Sequence, residues 1–325
     1  MQKYAKMRVF FSNAIDKCHI KAYNDICKNF YKQLFGGLLI MKKIIALALS
    51  MMFIVCALLM AGCNDNGGET EGVVKAIDIS LTDELYAFGV AKDDAQLLAK
   101  TNEYIAKVKA DGTLDAICEK YFGEGTPTAV VSAKEDSSKE QLIIATNSEF
   151  APFEYKEGSN YFGIDMELAK GLADYLGKEL VIKDVDFEAV CTTVESGHAD
   201  IAIAGLTVNE TRKESVTFSD SYYVASQVLI VKADDTSFDE CKTAADVLAV
   251  IEQQTGKIGG QSSTTAQYYV QGDEEWEFPG IKNMEWVGYN SGALAVNDML
   301  AGNIKYVMID KAPALVIVDA INAVN

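Results

Sequence analysis

Residues 199–212 read ADIAIAGLTVNETR. Ile201, Ile203, Leu206 and Val208 give the stretch a strand-like alternation that breaks at Gly205 and Thr207. Asn209 is an N-cap residue type, so a helix is predicted to start there with Arg212 in its first turn. A strand that passes through a loop into a helix leaves backbone N–H groups unpaired, and a neighbouring guanidinium adds a rigid fork of donors. That combination fits a small carboxylate.

Outward from this stretch, strand and helix patterns alternate. LIIAT at 142–146 reads as a strand, and MELAKGLADYL at 166–176 reads as a helix with Asp165 as its cap and Gly177 as its stop. LVIKDV is a further strand, 187–195 a helix closed by Gly197, and SQVLIVK at 226–232 a strand that leaves the layer. Beyond it TAADVLAVIEQQ is a helix, KIGGQ a strand, SSTTAQYYV a loop entering a helix, YVMID a strand ending at Asp310, and 312–322 a last helix. Such alternation specifies mostly parallel α/β layers, here in two lobes. Upstream, 73–80 alternates as a strand, LTDELYAFGVAKDD stays extended, and helices are predicted over 95–110 and from Thr113. Residues 123–140 carry no sustained period and read as a linker.

Composition narrows the function. The chain of 325 residues is 49% hydrophobic and 23% charged, a globular balance with room for two domains. Residues 1–62 hold nine of the 29 Lys/Arg and two of the 47 Asp/Glu, which leaves 20 basic against 45 acidic residues, a net charge near −25. Such a field repels phosphate backbones and argues against a nucleic-acid partner. Only His198 lies beyond residue 62, against a histidine metal site or a Ser-His-Asp triad.

Met41-Lys42-Lys43 followed by an apolar run and Ala61-Gly62-Cys63 has the layout of a secretory signal. A retained transmembrane helix is the alternative reading of that run. Residues 63–72 read as a polar tether. Residues 1–40 fit no signal architecture, so translation is expected to begin at Met41. The mature chain would keep Cys118, Cys191 and Cys241 besides Cys63, with at most one disulfide and no metal spacing.

With TNSEFAPFEY, FGIDMELAKGLA, ADIAIAGLTVNETR, VTFSDSYY and IDKAPA in place, the chain resembles the bacterial type II periplasmic solute-binding proteins of family 3, the polar amino-acid binders of ABC transporters. Ala61-Gly62-Cys63 resembles a lipobox, which implies lipidation at Cys63 and an extracytoplasmic, membrane-anchored protein. The resemblance implies an α/β fold of two lobes, each a mixed, mostly parallel sheet flanked by helices, joined by two crossing strands. It also implies a monomer that binds an amino acid by lobe closure and delivers it to a permease, with no cofactor and no catalysis. A receptor input protein and an enzyme on the same fold, such as a dehydratase, are the rival classes. One feature departs from the family: the stretch 73–123 comes last there and first here. The pieces 73–123 and 141–325 hold 51 and 185 residues, about one binding domain with nothing repeated, the pattern expected of a circular permutation. A gene remnant completed by a neighbouring chain is the other account. The expected division is 73–82 plus 233–325 for one lobe and 83–122 plus 141–232 for the other, with crossings near 231–233 and 81–86.

The resemblance also assigns a site. Arg212 would bind the ligand carboxylate, helped by the backbone of Gly205 and Thr207 and the Thr207 hydroxyl. Asp310, on the opposite lobe, would take the ammonium, and Thr264 and Thr265 match a second carboxylate contact. Phe150 and Phe187 match the aromatic pair around the ligand side chain. Asn147 stands where relatives that take basic amino acids often carry Asp, which tilts the expected ligand toward an uncharged polar amino acid, although Glu149, Glu154 or Gln261 could meet a cation.

Overall fold

Two five-stranded sheets carry the architecture of the computed structural model, which describes residues 72–123 and 125–324. The N-terminal extension, the signal-like run, Cys63 and most of the tether lie outside the described residues. The first lobe's sheet has the order Val216–Phe218, Gly89–Ala91, Ile201–Ala202, Gln141–Thr146, Glu179–Asp184. The second has the order Val74–Ile77, Gln227–Lys232, Tyr306–Asp310, Gly256–Gln261, Met284–Tyr289. One strand in each runs against the rest, Gly89–Ala91 in the first and Gln227–Lys232 in the second. Both are the strands the chain enters after crossing between lobes.

The crossing is a two-stranded ribbon, Glu84–Tyr86 antiparallel to Tyr223–Ala225. It lies earlier than the 231–233 crossing expected from the sequence, because Gln227–Lys232 is already a buried strand of the second sheet. The break falls at Ser226, whose carbonyl accepts Lys311 N–H at 2.9 Å. The second lobe is therefore built from 72–82 and 227–324.

Helix Ala95–Ala110 forms where its period places it. Asp94 accepts the Leu97 N–H at 2.8 Å as its cap, and Leu97, Tyr104, Ile105 and Val108 turn inward. Ile105 is 2% exposed, so truncation to alanine would cost about 2–5 kcal/mol. Helix Thr113–Phe122 follows and packs on helix Ile164–Tyr175. The second lobe's core gathers Leu229, Val247, Ile258 and Met308 around its own sheet.

Residues 125–140 do not hang free as a linker. Val130 bridges Tyr161 with hydrogen bonds of 2.8 and 2.9 Å, Ala133 N–H donates to Leu180 O, and Ser132 Oγ accepts Ile182 N–H. The segment satisfies the edge of strand Glu179–Asp184, and Val130 is buried beneath it. Asp165 is not the cap of its helix either. Gly163 holds that position, and Asp165 is fully buried in the first turn. Cys118, Cys191 and Cys241 are all free thiols.

Candidate functional site

The crossing ribbon carries a carboxylate that sequence reasoning missed. Glu84 is 3% exposed and accepts four hydrogen bonds. Oε1 takes Thr82 Oγ1 at 2.6 Å and Gln227 Nε2 at 2.9 Å. Oε2 takes Thr207 Oγ1 at 2.6 Å and Thr265 Oγ1 at 2.7 Å. Thr207 belongs to the first lobe and Thr265 to the second, so one side chain ties both lobes to the ribbon. Two residues along, the Tyr86 hydroxyl donates to Asp310 Oδ1 at 2.5 Å.

On the first lobe, Asn209 caps helix Glu210–Lys213 by accepting the Arg212 N–H at 2.6 Å. Arg212 Nη1 donates to Thr207 O at 2.8 Å, and Nη2 donates across the cleft to Ser263 O at 3.0 Å. Its guanidinium lies 5.2 Å from the centroid of the half-buried Phe187 ring. No ion pair holds Arg212 among the described residues. The Thr207 N–H likewise has no acceptor among them, while its neighbours bond to the ribbon through Val208 N–H to Leu85 O and Ala87 N–H to Leu206 O. Gly205 sits at φ +52° with its N–H on Asp165 Oδ2 at 2.7 Å, so that N–H faces the protein and not the cleft. A Cβ there would come within 3.1 Å of Phe150, which is buried against Phe153.

On the second lobe, Ser263 adopts φ +62°, a left-handed conformation that aims its carbonyl at Arg212. The Thr264 hydroxyl turns back to donate to Gln261 O at 2.7 Å and caps no N–H of the helix that follows, whereas Thr265 reaches Glu84. Asp310 is 4% exposed, paired in register with Gln227. Burial, and then the Glu84 charge, push its carboxyl well above the ordinary carboxylate range; the Tyr86 hydrogen bond works the other way.

A second acid pair supports the floor. Asp165 accepts Tyr222 Oη at 2.6 Å besides Gly205 N–H, and burial lifts its carboxyl to about 6. Glu154 is fully buried with no donor on either oxygen, and desolvation followed by the Asp165 charge raises it strongly. Its neutral form relieves both costs. Among the described residues no group of three or more His, Cys, Asp or Glu could hold a metal.

At the cleft mouth a cavity of about 910 Å³ is lined by Asn147, Glu149, Asp184 and Asp186 on one side and Ser291 and Leu294 on the other. Asn147 is tied on both ends: its amide donates to Val185 O at 2.9 Å, and its carbonyl accepts Gln261 Nε2 across the cleft at 2.8 Å. Thr211 reaches Glu275 at 3.1 Å, a third direct link between the lobes. The structure thus brings Asn147, Phe187, Thr207, Arg212, Thr265 and Asp310 to one interlobe cleft, with Phe150 and Gly205 in its wall and the Thr264 hydroxyl turned away.

Residues 142–314 match the sequence profile of the bacterial extracellular solute-binding proteins, family 3. The arginine-binding extracellular protein ArtP of Bacillus subtilis is 39% identical over 126 residues, 38% of this chain and 49% of ArtP. The histidine-binding periplasmic protein of Escherichia coli K12 is 24% identical over 177 residues, 54% of this chain and 62% of that protein. The chain therefore spans about half the length of the curated relatives it matches. Among solved structures, an ancestral arginine-binding protein bound to arginine is 28% identical with a TM-score of 0.48, covering 56% of this chain and 75% of that one. The match over more than half of the chain, together with two sheets joined by a crossing ribbon, places this protein in the bacterial extracellular solute-binding proteins, family 3.

Proposed function

We propose that this chain binds an amino acid between its lobes and delivers it to an ABC-transporter permease. The observation that carries the reading is the pairing of opposites across the cleft. An arginine with no carboxylate partner among the described residues stands on one lobe, and a buried carboxylate, Asp310, stands on the other. An α-amino acid presents the complement of both. Arg212 and the Thr207 N–H take the carboxylate, Asp310 takes the ammonium, and Phe187 and Phe150 flank the side chain. Ligand that touches both lobes stabilises the closed arrangement by its differential affinity. The tie between Asn147 and Gln261 favours a polar uncharged side chain. A cationic side chain is the second reading, favoured by Glu149 and Asp186 at the mouth, and the named relatives that bind arginine and histidine agree with it.

The same reading extends to the chain's order. Residues 74–91 supply an edge strand to the second sheet, half of the ribbon and an inner strand to the first sheet, as a circularly permuted binding domain requires. Lipidation at Cys63 would put the anchor upstream of strand Val74–Ile77 in the chain, the first strand of the second lobe. A monomer suffices, since both halves of the site come from one chain.

A thermal-shift screen of the twenty amino acids tests the function. A true ligand at 100 times its Kd stabilises by about 2.7 kcal/mol, a clear rise in midpoint. Absence of a shift with every amino acid would remove the proposal, and turnover of a bound compound would favour an enzyme.

A further inference from the structure

We infer that Glu84 is a positioning residue that sets the polarity of the binding site, turning the hydroxyls of Thr207 and Thr265 into acceptors for a ligand ammonium. The inference rests on the amino-acid reading above. An ionised carboxylate is an acceptor only, with about four lone-pair positions. Four donors face Glu84: Thr82, Gln227, Thr207 and Thr265, at 2.6, 2.9, 2.6 and 2.7 Å. Each threonine has a single hydroxyl hydrogen, and Glu84 Oε2 takes both. What remains on those oxygens is lone pairs alone.

The consequence revises two roles. A hydroxyl without a free hydrogen cannot donate to a ligand carboxylate, so neither threonine side chain serves the Arg212 end. Both oxygens lie within hydrogen-bond distance of one carboxylate oxygen, and Asp310 joins them through the ribbon. Tyr86, bridged to Thr207, donates to Asp310, and Gln227, paired in register with Asp310, donates to Glu84. Thr207, Thr265 and Asp310 then offer three acceptors to the three N–H bonds of an ammonium. The carboxylate is left to the three unused N–H bonds of Arg212 and to the Thr207 N–H. Glu84 need not touch the ligand to do this.

The test compares an L-amino acid with its des-amino analogue by calorimetry on the full chain: L-arginine against 5-guanidinopentanoate, and L-glutamine against glutaramate. Glu84→Gln keeps the size but brings an amide donor to the threonines. Glu84→Asp keeps the charge but shortens the reach to both hydroxyls. Each variant is expected to weaken the amino acid by about tenfold or more, the scale of one charge-assisted hydrogen bond, and to change the analogue by less than about threefold. Equal losses for both compounds, or wild-type amino-acid affinity in either variant, would overturn the inference. If the Glu84 variants do not fold, Thr265→Val and Thr265→Ser decide: valine should lose only the amino acid and serine should retain it, and any other split counts against the assignment. A wild-type chain that binds no amino acid would instead sink the functional reading before any variant is made.

Discussion

Arg212→Ala is the perturbation with the largest expected effect on binding. A guanidinium has five N–H donors, and Arg212 uses two of them on Thr207 O and Ser263 O. Those bonds and the Phe187 ring fix the side chain and leave three donors for a ligand. A carboxylate gripped by two charge-assisted hydrogen bonds at about 1.5–3 kcal/mol each loses about 3–6 kcal/mol on truncation, or about 10²–10⁴ in Kd. The folded state loses less, because Arg212 is half-buried and its two carbonyl acceptors can turn to water. Removing two neutral-acceptor bonds at the cleft edge should cost under about 3 kcal/mol. Titration calorimetry with the amino acid found in the screen, beside denaturation of the unliganded variant, separates the two effects. Lysine at the same position keeps the charge without the fork and should fall between wild type and alanine. Binding within tenfold of wild type in Arg212→Ala would refute the assignment of the carboxylate to this residue.

The buried acids give a pH dependence of unusual sign. Asp165, raised from 3.8 to about 6, and Asp310 and Glu154, raised likewise, bind protons more tightly folded than unfolded. Their stability is present at low pH and is lost as pH rises from about 4 through their folded values, about 3 kcal/mol for Asp165 alone. Urea denaturation of the unliganded protein should give a larger unfolding free energy at pH 5 than at pH 8, and Glu154→Gln should flatten the slope; a rising slope contradicts the scheme. Gly205→Ala should destabilise by about 1–2 kcal/mol and weaken binding, since φ +52° and a 3.1 Å approach to Phe150 both resist a Cβ, as thermal melts can check. A protease site placed in the exposed turn 136–139 should be cleaved without loss of ligand binding, because residues 74–122 are held by both sheets; separation of the fragments would count against permutation.

Sequence periodicity located the long elements because their local signals agree with their burial. Helix Ala95–Ala110 has its cap, its apolar face and its stop in order, and Asn209 before Arg212 has the chemistry of the cap it becomes. Glu84 escaped notice for the opposite reason. In ELY the acid is buried and Leu85 is 49% exposed, so ordinary hydrophobic alternation points the wrong residue inward. Only the convergence of donors from distant segments makes that burial tolerable, and no local pattern encodes it. The crossing at Tyr223–Ala225 was hidden inside an apolar run that continues into Gln227–Lys232, with only Ser226 marking the boundary. Strand Met284–Tyr289, helix Gly292–Leu300 and the meander 149–162 emerge only in the structure. Residues 125–134 have no period because irregular backbone bonds, not side-chain alternation, attach them. The site divided in the same way: Arg212 and Asp310 stood out by charge at element ends, whereas Asp165 and Glu154 act from beneath the wall.

The segment from Val74 to Phe122 also sets the tempo of folding. Each of its strands pairs with chain made later: Val74 N–H has no side-chain acceptor until Asn322 arrives, a separation of 248 residues, and Phe88 N–H waits 131 residues for Ser219 Oγ. Contacts this remote make loop closure a dominant barrier and slow the search. During synthesis residues 74–122 can form their helices but no sheet, and the ribbon between the lobes cannot assemble before residue 225 has been made. Lobe joining is therefore a late event, one that favours completion of the chain before the two halves are locked together.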